Sequence, residues 1–258
     1  MIERIDRADD PRAGDYAHVA DPGWLRDRGL FVAEGRLVVQ RLLAAGRFRI
    51  RSLFVTPAAL AALVPGDDLH VLVAEQPVLN AITGFNFHRG CLALAERPPD
   101  AALESVASAT RLLALEGVAN PDNVGGLFRV AAAFGVDGIL LDPASGDPLY
   151  RKAIRTSMAA ALTVPFVRLA DWPAGLRSLK RAGFTVVALT PHSEARPLAE
   201  FAGGCRAARL VVLVGAEGAG LSDAAMGVAD ARVKIPIAAH VDSLNVTVAA
   251  GIALSHLR

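Results

Sequence analysis

The sequence predicts an α/β protein, with a parallel sheet covered by helices and a smaller α/β unit before it. Three observations predict it. Short apolar runs alternate with amphipathic stretches along most of the 258 residues, as in strands joined by crossover helices. Hydrophobic residues make up 53% and charged residues 21%, enough for a large buried core and incompatible with a disordered chain. Arg97-Pro98-Pro99-Asp100 then breaks the alternation with two prolines and a polar turn, placing a boundary between domains 1–98 and 99–258.

Before the boundary, residues 34–45 have helical spacing and 50–55 read as a strand. Residues 57–63 read as a short helix and 69–73 as a second strand. Beyond it, strands are expected at 112–116, 138–141, 163–167, 184–189, 210–214 and 231–235. Helices are expected at 124–134, 149–160, 173–182, 198–202, 221–228 and 243–257. In the first of these helices Val124, Leu127, Phe128, Ala131 and Phe134 form the core stripe. Ligands of such sheets bind beyond the carboxyl ends of the strands, so chemistry is sought in the loops that follow them.

Composition excludes several classes. No uncharged stretch exceeds 15 residues, short of the roughly 20 that a membrane-spanning helix needs. Met1 to Asp10 is charged and lacks an apolar signal core, which predicts a cytoplasmic protein. Cys91 and Cys205 stand far apart and no histidine pair has metal-ligand spacing, so neither a disulfide framework nor a metal is expected. Net charge is +1, which alone predicts no nucleic-acid partner. The distribution differs from the sum: Arg36, Arg41, Arg47, Arg49 and Arg51 fall in a run without any acid, and Arg151, Lys152 and Arg155 form a second cluster. Arginine is the better bidentate partner for phosphate.

Three loops stand out. The first reads Asn120-Pro-Asp-Asn123-Val-Gly125-Gly126-Leu-Phe-Arg129. Asn123 can cap the following helix, and Arg129 lies off the core stripe among Gly125, Ala132 and Ala133. Taken alone, this loop reads first as a capped helix with a solvated arginine and glycines kept for packing. The second reads Gly215-Ala-Glu217-Gly218-Ala-Gly220-Leu221-Ser222. A glycine turn after a buried strand suggests a phosphate cradle, but Glu217 repels a pyrophosphate and suits hydroxyls, amines or a positive centre. A tight turn with a solvent-facing acid is the alternative. The third runs from Ile235-Pro236 to Asp242-Ser243-Leu244-Asn245-Val246, where Asp242 or Ser243 can cap the closing helix and Asn245 falls in its first turn. His240 reads as a loop histidine. Around Tyr150–Met158 the basic cluster reads either as a solvated helix start or as a phosphate grip with Ser157 facing the site.

Together and in this order, the three loops resemble the signature motifs of the SpoU (TrmH-type) RNA 2′-O-ribose methyltransferases. Asn123-x-Gly125-x-x-x-Arg129 is similar to the first, Val214-Gly215-Ala-Glu217-Gly218-x-Gly220-Leu221 to the second, and Ile235-Pro236 with Ser243-Leu244-Asn245-Val246 to the third. Upstream, Phe31-Val-Ala-Glu34-Gly35-Arg36 and His88-Arg89-Gly90 look like the small ribosomal-protein-like RNA-binding domain that often precedes the catalytic one. Ala159 departs from the glycine common after Ser157-Met158.

The resemblance implies a catalytic domain with a deep trefoil knot, a homodimer, and S-adenosylmethionine as cofactor. It implies that Thr190, Val214, Gly215, Gly218, Ile235, Ile237 and Leu244 hold the cofactor. Asn123, Arg129, Glu217, Ser243 and Asn245 would surround the reacting atoms. Arg36, Arg47, Arg49, Arg51, His88, Arg89, Arg151, Arg155 and Ser157 would meet RNA. The expected substrate is ribosomal RNA, with transfer RNA as the alternative. Two other readings stand beside it: a non-catalytic RNA-binding protein on the same fold, and a dinucleotide-dependent enzyme. The second lacks G-x-G-x-x-G after the first strand of the larger domain.

Overall fold

The structure, a computed structural model, describes residues 1–66, 68–85 and 90–257. It divides into two compact units, Met1–Pro99 with Leu149–Leu162, and Asp100–Pro148 with Thr163–Arg258. Segment 149–162, expected within the second domain, therefore packs with the first unit.

The first unit is built on a five-stranded mixed sheet of β1 (Ile2–Arg4), β2 (Leu30–Glu34), β3 (Ile50–Val55), β4 (Val71–Val73) and β5 (Cys91–Glu96). The spatial order is β1-β4-β3-β5-β2, with β5 antiparallel to both neighbours. Its helices are α1 (Pro22–Asp27), α2 (Arg36–Ala45), α3 (Pro57–Leu63) and α4 (Gln76–Thr83). The helix expected from residue 34 begins two residues later. The run Leu30–Glu34 before it is a wholly buried strand, and Gly35, at φ 95°, turns the chain into α2. Continuous apolar runs carry no period, which is why β2 and β5 escape a pattern search.

The second unit is a seven-stranded, wholly parallel sheet. Its strands are β6 (Arg111–Glu116), β7 (Gly138–Leu141), β8 (Phe166–Arg168), β9 (Thr185–Leu189), β10 (Arg196–Pro197), β11 (Leu210–Gly215) and β12 (Ala231–Lys234). The order β10-β12-β9-β11-β6-β7-β8 confirms the expected parallel α/β architecture. The strand expected at 163–167 starts at Phe166, because Pro165 has no N–H for the ladder and offers only its carbonyl, which accepts from Ile139 N at 2.9 Å.

Of the larger unit's helices, α5 (Pro121–Ala133) and α10 (Val246–His256) pack on each other, and α10 also packs on β9 and β11. Gly126 makes the α5–α10 approach possible, since a Cβ there would lie 2.6 Å from Thr247 Oγ1. Val124, Leu127, Phe128 and Ala131 are fully buried as expected, whereas Phe134 is only half-buried. A second core joins the sheet to α7 (Ala174–Arg181) and α9 (Asp223–Val228) through Leu176, Leu179, Ala225 and Val228. α8 (Leu198–Gly204) packs on β10, β12 and α10.

The helix expected at 149–160 is shorter, α6 (Arg151–Thr156). It stops because Met158 and Ala159 adopt φ of 52° and 68°. That is the left-handed region that favours glycine, so the departure at Ala159 coincides with a backbone shape glycine takes without strain.

No helix among the described residues is long and apolar enough to cross a membrane. Both cysteines are unpaired, and burial pushes the Cys91 thiol up to about 12.

Candidate functional site

The strand order decides which loops meet. Going from β6 to β7 the chain moves one way across the sheet, while β9, β11 and β12 lie on the other side, so the direction reverses at the β6–β11 pair. Ligands bind at such a reversal, outside the carboxyl ends of the strands. There Glu116 closes β6 in register with Gly215, which closes β11.

The first loop becomes the start of α5. Asn120, not Asn123, is its cap, its Oδ1 accepting from Asp122 N at 2.9 Å, and Pro121 takes the first helical position, where its missing N–H is no loss. Residues 121–123, expected in the loop, are thus helix, and Asn123 lies buried inside the first turn.

The second loop is a closed turn. Gly220 N donates to Ala216 O at 3.0 Å, and the two residues form an antiparallel bridge. Gly218 and Gly220 hold φ of 84° and 68°, which ordinary residues avoid. The loop folds so tightly that a Cβ on Gly215 would lie 2.3 Å from the carbonyl carbon of Gly220 and 2.5 Å from Leu221 N.

The third loop ends at α10, whose cap is Asn245 rather than Asp242 or Ser243. Asn245 Oδ1 accepts from Thr247 N at 2.9 Å and Val248 N at 3.4 Å. Its Nδ2 donates to Asn123 Oδ1 at 3.0 Å and to Glu217 Oε1 at 3.1 Å. One carboxamide thus joins all three loops.

Beside this junction lies a cavity of about 520 Å³, within the range of a small-molecule site. Thr190, Val214, Gly215, Gly218, Ile235, Ile237 and Leu244, the residues expected around a cofactor, all line it, as do Glu217 and Ser243. Leu189, Pro191 and Ala249 also line it and were not singled out from the sequence; their position at the end of β9 or within α10 was the available signal. Asp242, expected only as a possible cap, lines it too. Asn123 and Asn245 are not wall residues and reach it through Glu217. Arg129 is exposed on α5 and does not line the cavity, and among the described residues it makes no hydrogen bond or ion pair. No group of three or more His, Cys, Asp or Glu among the described residues is placed to hold a metal ion.

Sequence reasoning also missed Glu116. Its buried carboxylate accepts from Trp172 Nε1 at 2.7 Å, Ser222 N at 2.8 Å and Ser222 Oγ at 2.7 Å. As the last residue of a buried strand it looked like a strand end.

In the first unit the arginines are less free than the sequence suggests. Arg49 lies 3.4 Å from Glu96 and Arg51 4.0 Å from Asp15, so a run without acids in the chain meets acids in space. Arg41 donates to the Met158 carbonyl. Arg36 and Arg47 are exposed, with Arg47 near the Phe48 ring. Arg151 pairs with buried Glu34 and covers the Phe85 ring at 4.2 Å, and Arg155 lies 3.6 Å from the same carboxylate. Ser157 does not face a site: its buried hydroxyl donates to Ile154 O at 2.9 Å and accepts from Ala161 N at 3.2 Å. His88 and Arg89 lie outside the described residues.

Known proteins share this sequence pattern and fold. The model of the SpoU rRNA Methylase family matches residues 110–255. An uncharacterized tRNA/rRNA methyltransferase of Mycobacterium bovis is 42% identical, over 98% of this chain and 90% of that protein. A 23S rRNA (guanosine-2′-O-)-methyltransferase of a Burkholderia species is 31% identical over 76% of this chain and 80% of its own. The solved structure of an AdoMet-bound rRNA methyltransferase from Sinorhizobium meliloti superposes with a TM-score of 0.85 and 26% identity, covering 100% of this chain and 97% of that one.

The Gly215 packing makes a direct prediction. Gly215→Ala puts a methyl group into backbone that has nowhere to move, and is expected to destabilise the protein by about 1–3 kcal/mol. Hydrogen exchange should show the Gly220 amide losing protection. A variant with wild-type melting and an equally protected Gly220 amide contradicts the close packing.

Proposed function

The chain belongs to the SpoU rRNA methylase family, and from that premise we propose that it is an S-adenosylmethionine-dependent RNA methyltransferase acting on a ribose 2′-hydroxyl of ribosomal RNA. The observation that carries the reading is the junction at Asn245, which brings Asn123, Glu217 and the cavity wall together. The name of the Burkholderia relative supports both the ribose position and the ribosomal substrate.

The cavity fits the cofactor. Val214, Ile235, Ile237 and Leu244 offer apolar walls to a flat base. Among the described residues no lysine or arginine lines it, so it does not suit a pyrophosphate, and Glu217 favours a ligand with a positive centre. Gly215 and Gly218 let backbone approach closely, and Thr190 adds a hydroxyl. When bound, S-adenosylmethionine supplies an electrophilic methyl group on a sulfonium.

The protein's residues do the rest. Asn245 holds Oε1 of Glu217, which leaves Oε2 to accept the proton from the ribose hydroxyl. Asn123 fixes the other side of the Asn245 amide, and Ser243 contributes a hydroxyl at the wall. A guanidinium is no general base, so Arg129 has another role. Exposed on α5, it is suited to grip the phosphate next to the target ribose and to stabilise developing alkoxide charge.

The same reading includes the trefoil knot and the homodimer. Support for the knot is that α10, the last helix, packs on β9 and β11, strands that precede β12 in the chain. Support for a second copy is the exposure of Val241 and Val248 on and before α10. Arg36, Arg47, Arg49, Arg51 and Arg155 would meet RNA phosphates and make binding salt-dependent, with Arg151 tied down by Glu34.

Labelled-methyl transfer to total RNA, followed by mapping of the product, tests the reading. Label on the 2′-oxygen of a ribosomal ribose is expected; label on a base, on transfer RNA alone, or nowhere overturns it. Arg129→Ala is expected to lower turnover by about 100-fold or more with cofactor affinity unchanged. Transfer at the wild-type rate would rule out the role assigned to Arg129.

A further inference from the structure

Resting on that function, we infer that Glu116 is a positioning residue for the cofactor, because its backbone pairs where the glycine loop begins and its side chain fastens the loop where it ends. The loop closes on itself between Ala216 and Gly220, but it has no side chain of its own that fixes it to the strands beneath. Between Gly215 and Gly220 its only long side chain is Glu217, and that one reaches outward to Asn245. Three glycines and two alanines leave the backbone without an anchor of its own.

Glu116 supplies the anchor. Its backbone is in register with Gly215, where the chain enters the loop. Its side chain takes both the N–H and the hydroxyl of Ser222, where the chain leaves it. Ser222 Oγ in turn accepts from Ala225 N at 3.2 Å, capping α9. From the other side Trp172, in the connection between β8 and α7, donates its indole N–H to Oε1. The loop's exit and the next helix are therefore referred to the Glu116 carboxylate, and its entry to the backbone of the same residue. Side chains that orient ligand-holding groups from behind affect affinity although they touch no ligand.

The chemistry demands a carboxylate. Both oxygens only accept: Oε1 from Trp172 and the Ser222 hydroxyl, Oε2 from Ser222 N. A glutamine in either orientation turns an amide N–H toward an N–H donor, so Glu116→Gln conserves shape and breaks the anchor.

Calorimetry with S-adenosylhomocysteine as probe tests the inference on the full chain. Glu116→Gln is expected to raise its Kd about 10- to 100-fold. RNA affinity should be unchanged, and kcat at saturating cofactor should stay within about threefold, so the loss falls on KM for the cofactor. Trp172→Phe keeps both Ser222 bonds and is expected to raise Kd only a few-fold. Trp172 also gives a spectroscopic readout: in a Trp24→Phe background it is the sole tryptophan, and its emission should shift when the Glu116→Gln substitution is added.

A folded Glu116→Gln protein that binds the probe like wild type overturns the inference, as does a parallel loss of RNA and probe affinity. If Glu116→Gln does not fold, an unchanged Kd in Trp172→Phe overturns it. Failure of the wild type to bind the probe would instead overturn the function on which it rests.

Discussion

The carboxamide of Asn245 is the contact on which the larger unit's site depends. Its oxygen ends the third loop by capping α10, and its nitrogen bonds the first loop at Asn123 and the second at Glu217. Only a carboxamide makes this set, because the side chain must accept on one side and donate twice on the other. The sheet makes the meeting possible by placing β6 and β11 side by side, and Gly126 lets α5 and α10 close to the distance the bonds require. The cavity is then the space these loops leave over the strand ends.

Much of this was legible in the sequence, for physical reasons. The strands of the larger sheet are short apolar runs between longer amphipathic ones, so six of the seven and their order on the chain follow from pattern; β10, only Arg196–Pro197, is too short to show one. The wall residues could be named because the loops after the strands, where open parallel sheets bind ligands, resemble the SpoU motifs. What was not legible is equally specific. Asn123 looked like a cap because it precedes the apolar stripe, but Pro121 starts the helix earlier and Asn120 caps it. Asn245 looked like a first-turn residue and is the cap. Glu116 could not be recognised at all: a carboxylate ending a buried strand acquires its meaning only from Trp172 and Ser222, 56 and 106 residues away.

The first unit teaches the converse about charge. The acid-free run of arginines suggested a surface for phosphate, yet Glu96 and Asp15 stand beside Arg49 and Arg51. Glu34 likewise takes up Arg151 and Arg155, which the chain supplies much later in the sequence. Exposed pairs of this kind contribute little stability and yield readily to a stronger anion, so Arg49 and Arg51 stay available to a phosphate chain. The buried Glu34 pair instead holds segment 149–162 in the unit. Net charge near zero is thus compatible with selective RNA contact.

One amide joins the three loops beside the cavity, and Asn245→Asp measures what that junction contributes to methyl transfer. Aspartate keeps the oxygen that caps α10 but removes the donor to Asn123 and Glu217 and sets a second carboxylate against Glu217. Methyl transfer by this variant, measured beside its thermal stability, is predicted to fall by about 100-fold or more while the melting temperature stays within a few degrees of wild type. A folded Asn245→Asp protein that transfers methyl groups at the wild-type rate would contradict the account.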